Sequence, residues 1–412
     1  MRSTIFLTLV IMLALTEVCG QASGLQLTLL GQRQAAMGNA GTALPLDGAT
    51  AWVNPAGMNF LDRRAYVQLG GSFYRPLTSF LEPSPTFGFE SMDTFALSPF
   101  HAYGVIRPRG NPRWAYGISV NSPYGAASLW PEDWKGRFIS QEFRLTSLFI
   151  QPAVSYRFSS QLSVGVGVSY GLASILSRKA IDRDGQEESR SSVKYLGGGN
   201  GVGLNLGIYH VYSDKISMGL TFRTPIQIEV NQGVATFDVP QSLEEFYPEQ
   251  SFQTHLPLPA KLNIGIGYRP ESRLLVAVDV RYTRWQSFDS LSLVLEQEVG
   301  GLVEYPEKAW ENTLGFHAGM EYLVNEKMEI RAGLAYNNSP VPDELLSPQL
   351  PDSDNIGLNG GFGLHITRDF IANFSAGYNY TGERTGFLTN TTFGGTYESI
   401  SYHFGLDIQY RF

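Results

Sequence analysis

Residues 400–412 alternate strictly between apolar and polar side chains. Ile, Tyr, Phe and Leu take every second position, and Ser, His, Gly, Asp, Gln and Arg fill the positions between them. A period of two predicts a β-strand with one apolar and one polar face. Soluble β-sandwiches contain strands of the same kind, so this stretch alone leaves a soluble sheet and a membrane barrel open.

The same alternation recurs along most of the chain. It begins at residues 65–80 and returns in later stretches that include 114–120, 162–170, 262–268, 274–282, 314–322 and 370–380. Counted together, these stretches predict an all-β fold of about 14 antiparallel strands over residues 65–412.

The predicted connections between strands alternate in length. Six are short, near residues 108–112, 158–161, 213–215, 269–273, 324–327 and 367–369. Seven are long, at residues 81–93, 126–140, 180–195, 233–253, 289–309, 338–355 and 383–397. Outer-membrane barrels have short periplasmic turns and long external loops, whereas a soluble sandwich has no reason to sort its loops by length. The pattern therefore favours a transmembrane β-barrel.

The first 20 residues have the features of a secretory signal peptide. Arg2 precedes an apolar run, and small Gly20 precedes the expected cleavage site. Cys19 is the one cysteine of the chain and would leave with the peptide. Lipid attachment at Cys19 is the alternative, although the residues before it fit a lipidation site poorly. The mature chain is expected to contain no thiol and hence no disulfide.

Residues 21–64 differ from the rest, because they are rich in Ala and Gly and show little strand alternation. Such a short piece is too small to hold a core alone, so we expect short helical turns packed inside the barrel as a plug. Six glycines lie on faces predicted to point inward, at positions 117, 165, 167, 265, 267 and 377. They leave room for a plug or a ligand, or they relieve crowding where a tilted barrel curves.

Composition narrows the function further. Only 17% of the residues are charged, and the formal net charge of −8 gives no basic surface for nucleic acid. The string from Gly167 to Gly171 fits a nucleophile elbow around Ser169, but it lies within an alternating strand that no helix follows. The six histidines are scattered without the spacing of metal ligands. The sequence thus predicts neither an enzyme nor a bound cofactor or metal.

Several short motifs occur in one order along the chain. They are Asn54-Pro55-Ala56 and the stretches at residues 122–125, 134–137, 151–157, 259–261, 331–336, 339–343 and 350–352. Together they resemble the outer-membrane long-chain fatty-acid and hydrocarbon transporter family (FadL, TodX). The resemblance covers essentially the whole mature chain.

Members of that family are 14-stranded barrels closed by an N-terminal hatch that carries the Asn-Pro-Ala motif. The resemblance implies that Asn54, Pro55 and Ala56 lie in the hatch, near a kinked third strand. Gly125 matches the kink, where a gap in the wall lets an apolar ligand leave sideways, and Pro123 removes a ladder donor nearby. The alternative is that Pro123 and Gly125 merely end the strand at its loop.

Aromatic residues in the loop at 126–140 are candidates for the first contact with a ligand. Trp130, Trp134 and Phe138 lie beside basic residues, which suits a carboxylate that carries an apolar tail. Aromatic side chains at a barrel rim also serve as interfacial anchors, so both roles remain open.

The resemblance also implies a basic partner for a ligand head group. Lys308 falls where the family places a lysine inside the lumen. Arg178, Lys179 and Arg183 fall near the position of its arginine, although loop gaps blur which one corresponds. For each of the four, a solvated loop charge is the alternative.

These features lead to one functional expectation and two alternatives. The resemblance implies downhill uptake of long-chain fatty acids or similar hydrophobic compounds by a monomer in the outer membrane of a Gram-negative bacterium. Its partners would be the hydrophobic ligand and membrane lipid. A barrel of the same family that serves protein secretion or surface attachment is the first alternative. A lipase that uses Ser169 is the second.

Overall fold

In the computed structural model, the described residues are 24–86, 88–93, 97–181, 191–288, 293–296, 309–389 and 391–412. The expected signal peptide, Arg183 and Lys308 lie outside these ranges. The described residues contain 19 strand segments. These are β1 Ala65–Leu81, β2 Phe89–Ser91, β3 Phe100–Ile106, β4 Trp114–Asn121, β5 Gly125–Leu129, β6 Glu142–Arg157, β7 Leu162–Ala180, β8 Ser192–Val211, β9 Ile216–Arg223, β10 Ile226–Asp238, β11 Gln250–Leu258, β12 Ala260–Glu271, β13 Leu274–Arg284, β14 Val294–Leu295, β15 Thr313–Asn325, β16 Met328–Asn337, β17 Asn355–His365, β18 Phe370–Phe387 and β19 Gly394–Arg411.

The segments form one closed antiparallel barrel of 14 strands. Five barrel strands, the second, third, seventh, eighth and ninth, each consist of two consecutive segments. The barrel closes where β1 pairs with β19, from Tyr66 opposite Arg411 to Leu81 opposite Thr396. The prediction of about 14 antiparallel strands is confirmed, and closure pairs the first and last strands with each other.

The six short turns lie where the sequence predicts them, but some long loops are shorter than predicted. Strand β18 continues to Phe387 and β19 begins at Gly394, so most of residues 383–397 is paired strand. The cause is that these residues lack regular apolar alternation, and cross-strand contacts there include the hydroxyl pair of Thr385 and Thr396 at 2.7 Å. Strands that project beyond lipid lose their apolar alternation while their backbone ladder continues.

Side-chain orientation on the last strand agrees with its alternation. Phe404 is 58% exposed and Ile408 is 42% exposed on the outer face, whereas His403 and Asp407 are each 1% exposed on the inner face. An outer apolar face belongs against lipid acyl chains, and the inner polar face belongs against a filled lumen. The described residues include no helix with the length and apolar composition that a membrane span needs.

The N-terminal segment, residues 24–64, packs against inward-facing positions of the wall. It contains helix α1 (Gln32–Ala36), helix α2 (Thr50–Val53) and a 3-10 helix (Pro55–Phe60). Helix α1 packs against β16, β17, β18 and β19, while the 3-10 helix packs against β4, β6, β7 and β8. The segment thus contacts two separate groups of wall strands.

Carboxylates of the wall hold the segment by its backbone. Asp407 accepts a hydrogen bond from the backbone nitrogen of Gln32 at 2.8 Å. Asp279 accepts from the backbone nitrogens of Gly41 and Thr42 at 2.9 and 3.0 Å. These bonds satisfy N–H groups that a buried segment of so little regular structure would otherwise leave unpaired.

Some inward-facing glycines make room for the N-terminal segment, and others relieve crowding between side chains of the wall. A Cβ atom at Gly117 would lie 2.5 Å from the sulfur of Met58, and one at Gly265 would lie 2.9 Å from Cβ of Thr42. These glycines make room for the N-terminal segment. Gly377 instead faces wall side chains, including His403, so there the absent side chain relieves crowding within the wall.

Candidate functional site

The third barrel strand is interrupted. Segment β4 ends at Asn121 and β5 begins at Gly125, and both pair with β6, where Asn121 lies opposite Phe149 and Gly125 opposite Thr146. Pro123 stands in the interruption and has no backbone N–H to give to a ladder. The wall therefore has a break in its backbone pairing at residues 122–124.

The N-terminal segment fills this break. The nitrogen of Leu27 donates to the carbonyl of Pro123 at 2.9 Å, and the nitrogen of Gly125 donates to the carbonyl of Leu25 at 3.0 Å. Between these bonds, Gln26 and Tyr124 form an isolated antiparallel bridge. The structure thus brings Pro123 and Gly125 together with the first described residues of the chain.

The Asn54-Pro55-Ala56 tripeptide fastens the segment to another part of the wall. The Asn54 amide donates to the carbonyl of Ile208 at 3.1 Å, and its oxygen accepts from the nitrogen of Ala56 at 3.1 Å. The carbonyl of Ala56 accepts from the hydroxyls of Ser163 at 2.7 Å and Ser155 at 3.1 Å. The tripeptide is held by β6, β7 and β8.

Trp130 and Trp134 are buried beneath the external loops. Each is 1% exposed, and their rings stack with centroids 4.3 Å apart. Both indole nitrogens are satisfied, because Trp130 donates to the carbonyl of Pro348 and Trp134 to that of Ser140, each at 2.9 Å. The pair forms part of the packed cover over the lumen.

The remaining predicted residues lie nearer the outer surface. Phe138 is half-buried, and the Arg137 guanidinium lies 4.5 Å from the centre of its ring. Arg178 lies on β7 and pairs with the carboxylates of Glu132 at 3.5 Å and Glu142 at 3.7 Å. Lys179 follows on the same strand and is half-buried.

A second aromatic cluster, which the sequence did not suggest, lies above the start of the N-terminal segment. Trp285 and Phe288 pack around Trp310, with ring centroids 4.9 and 4.4 Å from it. Gly24 approaches Trp285 so closely that a Cβ atom there would lie 2.7 Å from the indole ring. The two clusters belong to one continuous apolar core that also contains Leu25, Tyr124 and Phe149.

A cavity of about 110 Å³ lies in the lumen beside the break. We call it the lumenal cavity, and the lining residues that matter most are three aromatic side chains and three cations, Trp52, Tyr124, Phe149, Arg223, Lys261 and Arg281. Among the described residues that line it, none is Asp or Glu. The lining therefore combines aromatic rings and positive charge with neutral polar side chains such as Gln34 and Asn263.

Each cation of the lumenal cavity is held by a ring or a backbone carbonyl. The Arg223 guanidinium lies 3.6 Å from the ring centre of Trp52 and donates to the carbonyl of Trp52. The Lys261 ammonium lies 4.7 Å from the ring centre of Tyr124. Arg281 donates to the carbonyl of Asn39. Aromatic faces attract cations, but they supply no opposite charge.

Sequence reasoning missed these cations as a group. Arg223, Lys261 and Arg281 come from β9, β12 and β13 and take ordinary inward positions of alternating strands. In the sequence, Lys261 stands out only as part of the motif at residues 259–261. The one usable signal is that three inward positions near the ends of three strand segments carry positive charge, because the register of paired segments then brings them together.

Known proteins share both the sequence family and the barrel. The family model described as "Outer membrane protein transport protein (OMPP1/FadL/TodX)" matches residues 13–412. The "Long-chain fatty acid transport protein" of Salmonella typhi is 21% identical over 87% of this chain and 87% of its own length. The "47 kDa outer membrane protein" of Pasteurella multocida is 22% identical over 97% of each chain.

Solved structures agree in fold. The structure of a Pseudomonas aeruginosa FadL homologue has a TM-score of 0.83 at 19% identity and covers 95% of this chain and 100% of its own. The P. putida toluene transporter TodX has a TM-score of 0.73 at 14% identity, covering 96% and 99%. The resemblance drawn from the motifs is confirmed. This chain belongs to the OMPP1/FadL/TodX family of outer-membrane transport proteins and is a β-barrel of the outer membrane of a Gram-negative bacterium.

Proposed function

We propose that this protein takes up long-chain fatty acids or similar hydrophobic compounds across the outer membrane, with the N-terminal segment as the hatch. One observation carries the proposal: the wall is broken at residues 122–124, and the backbone of Leu25 and Leu27 closes the break. We take this break as the lateral exit, which opens when the N-terminal segment moves away. A third strand that simply ended at its loop would not form backbone hydrogen bonds with that segment.

The ligand route begins at the external cover. Trp130, Trp134 and the cluster around Trp310 belong to a buried apolar core that continues to the lumenal cavity through Leu25 and Tyr124. A ligand reaches this core when the external cover opens. Each methylene group that leaves water for such a core contributes about 0.8 kcal/mol. A nearly insoluble chain therefore has a favourable path inward without contact with the polar outer leaflet.

The route ends at the break in the third strand. Leu27 lies against Gly125, where a Cβ atom would approach its Cδ1 to 2.7 Å. When residues 25–27 withdraw, the carbonyl of Pro123 and the nitrogen of Gly125 lose their partners, and an opening forms beside lipid. An apolar ligand leaves there sideways, down its own gradient, with no energy source on the chain.

We propose no catalytic role for Ser169. Its hydroxyl donates to the Gln151 side chain at 2.7 Å, within the wall of the lumenal cavity. Within the described ranges, no histidine or carboxylate is hydrogen-bonded to it, so the base that would activate a serine nucleophile is missing there.

Uptake by cells tests the proposal. Cells that lack the gene and cells that carry it are given a labelled long-chain fatty acid or labelled toluene, and accumulation is followed with time. Faster accumulation of either compound in carrying cells supports the proposal. If each compound accumulates equally in the two kinds of cell, and the barrel is shown to be folded in the membrane, the proposal is overturned.

A further inference from the structure

The end of the barrel that carries the short turns is rich in positive charge. It consists of residues 62–64, 107–113, 157–161, 212–215, 269–273, 324–327, 366–369 and 411–412. These ranges hold 12 of the 30 Lys and Arg residues of the chain but only five of its 38 Asp and Glu residues. The formal charge of the whole chain is −8, so the excess of carboxylates lies elsewhere. We call these 12 Lys and Arg residues the basic ring.

Backbone hydrogen bonds join each short turn to the next, all the way around the barrel. In three of these bonds, both the donor and the acceptor belong to cations of the basic ring. Each measures 2.8 Å, and the nitrogen-to-carbonyl pairs are Arg107 to Arg64, Arg157 to Arg113 and Arg269 to Lys215. The cations therefore form a continuous circle rather than isolated charges on separate turns.

Carboxylates at this end neutralise few of the cations. Asp62 pairs with Arg411 at 3.0 Å, and Asp369 pairs with Arg63 at 3.6 Å. Within the part of the chain that the structure describes, Arg109 and Arg113 have no ion-pair partner, and both are exposed. They are available to an anion that comes from outside the chain.

Exposed aromatic side chains lie beside the basic ring. Phe158 directly follows Arg157, and Tyr268 directly precedes Arg269. Aromatic side chains at the ends of barrel strands mark the boundary between membrane and water. Their place next to the cations puts the basic ring at the level of the lipid head groups.

The side chains at the start of β4 form a larger aromatic group at the same level. Trp114 stacks on Tyr116 and packs against Tyr156, with ring centroids 6.5 and 4.9 Å away. Trp114 directly follows Arg113, and Tyr116 is exposed. Lipid that meets these rings is therefore within reach of the long arginine side chains next to them.

We propose that the basic ring binds the phosphate groups of anionic phospholipids in the periplasmic leaflet of the membrane. A guanidinium group binds phosphate through paired hydrogen bonds, and clusters of Lys and Arg at a membrane surface attract anionic lipids. The short turns of an outer-membrane barrel face the periplasm, so this leaflet is the one that the ring meets. An acidic periplasmic protein would also suit the charge, but it would not account for the exposed aromatic side chains beside the ring.

Bound lipids would fix the depth of the barrel in the membrane. Strand β4 runs from Trp114, beside the basic ring, to Asn121, beside the break in the third strand. Lipids held at one end of this strand thus set the level at which the break meets the acyl chains.

Tryptophan fluorescence in vesicles tests the inference. The purified protein is reconstituted into phosphatidylcholine vesicles with increasing fractions of brominated phosphatidylglycerol or, in parallel, brominated phosphatidylcholine. Both leaflets have the same composition, so the orientation of the protein does not matter. The other five tryptophans are buried, so quenching by lipid reports mainly Trp114, and Trp114→Phe verifies this assignment.

We expect phosphatidylglycerol to be preferred over phosphatidylcholine about fivefold or more beside Trp114, as one Lys or Arg near a membrane surface already implies. The preference should disappear at about 1 M salt, because salt screens exposed charges. In Arg109→Gln/Arg113→Gln, which removes two cations beside Trp114, the preference should fall to about twofold or less.

Lys194→Gln/Arg284→Gln is the matched control. It removes two exposed cations from the opposite end of the barrel, where β8 begins and β13 ends, and should keep the preference.

Equal quenching by the two brominated lipids in the wild-type protein overturns the inference whether or not any variant folds, and leaves an acidic protein as the partner of the ring. A preference that persists in folded Arg109→Gln/Arg113→Gln, or that the control loses to the same degree, also overturns it. None of these results depends on uptake of a ligand, so the transport function is tested separately.

Discussion

The backbone nitrogen of Leu27 donates to the carbonyl oxygen of Pro123 at 2.9 Å. Leu27 belongs to the N-terminal segment and Pro123 to the interruption of the third barrel strand, so a lumenal residue supplies a hydrogen bond that a neighbouring strand would otherwise make. Backbone groups beside lipid must be paired. If the wall opens at this place, as we propose, then ligand, water or lipid must compensate for the lost hydrogen bond.

A bulky residue at Gly125 should slow uptake. In Gly125→Val, the new Cβ atom meets Cδ1 of Leu27 at 2.7 Å and narrows the space through which the ligand leaves. We expect uptake of a labelled fatty acid to fall several-fold while the barrel assembles normally. Overpacking of this kind costs about 1–3 kcal/mol, which a closed barrel tolerates.

Gly382→Val is the matched control for that substitution. Gly382 lies on β18 with open space around it, since no atom lies within 4 Å of the position that a Cβ would take. Uptake by this variant should equal that of the wild-type protein. If Gly125→Val also transports normally, the sideways exit does not lie at the break.

The ion pair of Arg33 with Glu321 should hold the hatch in place. The guanidinium meets both carboxylate oxygens, at 2.7 and 2.6 Å, from helix α1 to β15. Arg33→Met leaves Glu321 with Arg331, which pairs with it at 2.7 Å, so the loss is smaller than the roughly 3–5 kcal/mol of a buried charge left without any partner. We expect higher ion conductance in planar bilayers, because the segment no longer fills the lumen firmly.

Arg63→Met serves as the control for this loss of charge. Arg63 pairs with Asp369 at 3.6 Å, but both side chains are more than two-fifths exposed, so their pair contributes little. Its conductance should match that of the wild-type protein. Unchanged conductance in Arg33→Met would mean that other bonds alone hold the segment.

Asp352 should make the attachment of the first described residue depend on pH. It accepts from the nitrogen of Gly24 at 3.0 Å and from the hydroxyl of Ser339 at 3.0 Å, and burial raises the pKa of its carboxyl from 3.8 to about 6. Because the folded state favours the protonated acid, this contribution to stability is complete below pH 3.8 and is lost as pH rises through 6. The loss reaches about 3 kcal/mol at neutral pH.

Asp352→Asn keeps a neutral side chain at every pH. We expect its thermal midpoint to exceed that of the wild-type protein at pH 7, and the difference to shrink as the pH is lowered to 4. Thermal unfolding of both proteins across this range measures the difference. A gap between the two midpoints that does not change with pH would exclude titration of Asp352 as its cause.

Trp134 should act mainly through packing of the external cover. Its ring stacks on Trp130 and is almost fully buried, so Trp134→Ala leaves a cavity that costs about 3–5 kcal/mol. We expect trypsin to cleave faster after the exposed Lys135. Phe246→Ala, at a residue that is 69% exposed, should not change cleavage at that site. Lost uptake without faster cleavage would assign Trp134 to ligand docking instead.

Much of the wall was predictable because the alternation of residues within each strand reflects the surroundings of its two faces. Lipid outside and a filled lumen inside impose a period of two, as Phe404 and Asp407 illustrate on β19. The strand predictions fail where the two faces of a strand no longer have different surroundings. Residues 383–386 show no apolar alternation and are predicted as loop, although the backbone of residues 384–386 pairs with β19. The local hydrophobic pattern shows whether a side chain faces lipid, water or protein. It does not show which strand the backbone pairs with.

The candidate site was less predictable, because it is assembled from distant parts of the sequence. The family resemblance points to Pro123 and Gly125, and their residue types suit an interruption of the strand. The partner at Leu27 was not predicted, since nearly 100 residues of chain separate it from Pro123. Lys261 gave no signal of its own, because its importance depends on Arg223 and Arg281 on neighbouring strands.

A disulfide that fixes the N-terminal segment at the break tests the central claim most directly. Gln26 and Tyr124 form the bridge between two backbone hydrogen bonds, a pairing in which Cα atoms lie about 4.5 Å apart and a disulfide can form. Uptake of a labelled fatty acid is measured in cells with Gln26→Cys/Tyr124→Cys, before and after reduction, beside each single variant. We predict that the oxidised double variant transports little and recovers on reduction, while the single variants do not respond. Full transport by the oxidised double variant, with the disulfide verified, would contradict movement of the N-terminal segment at the break.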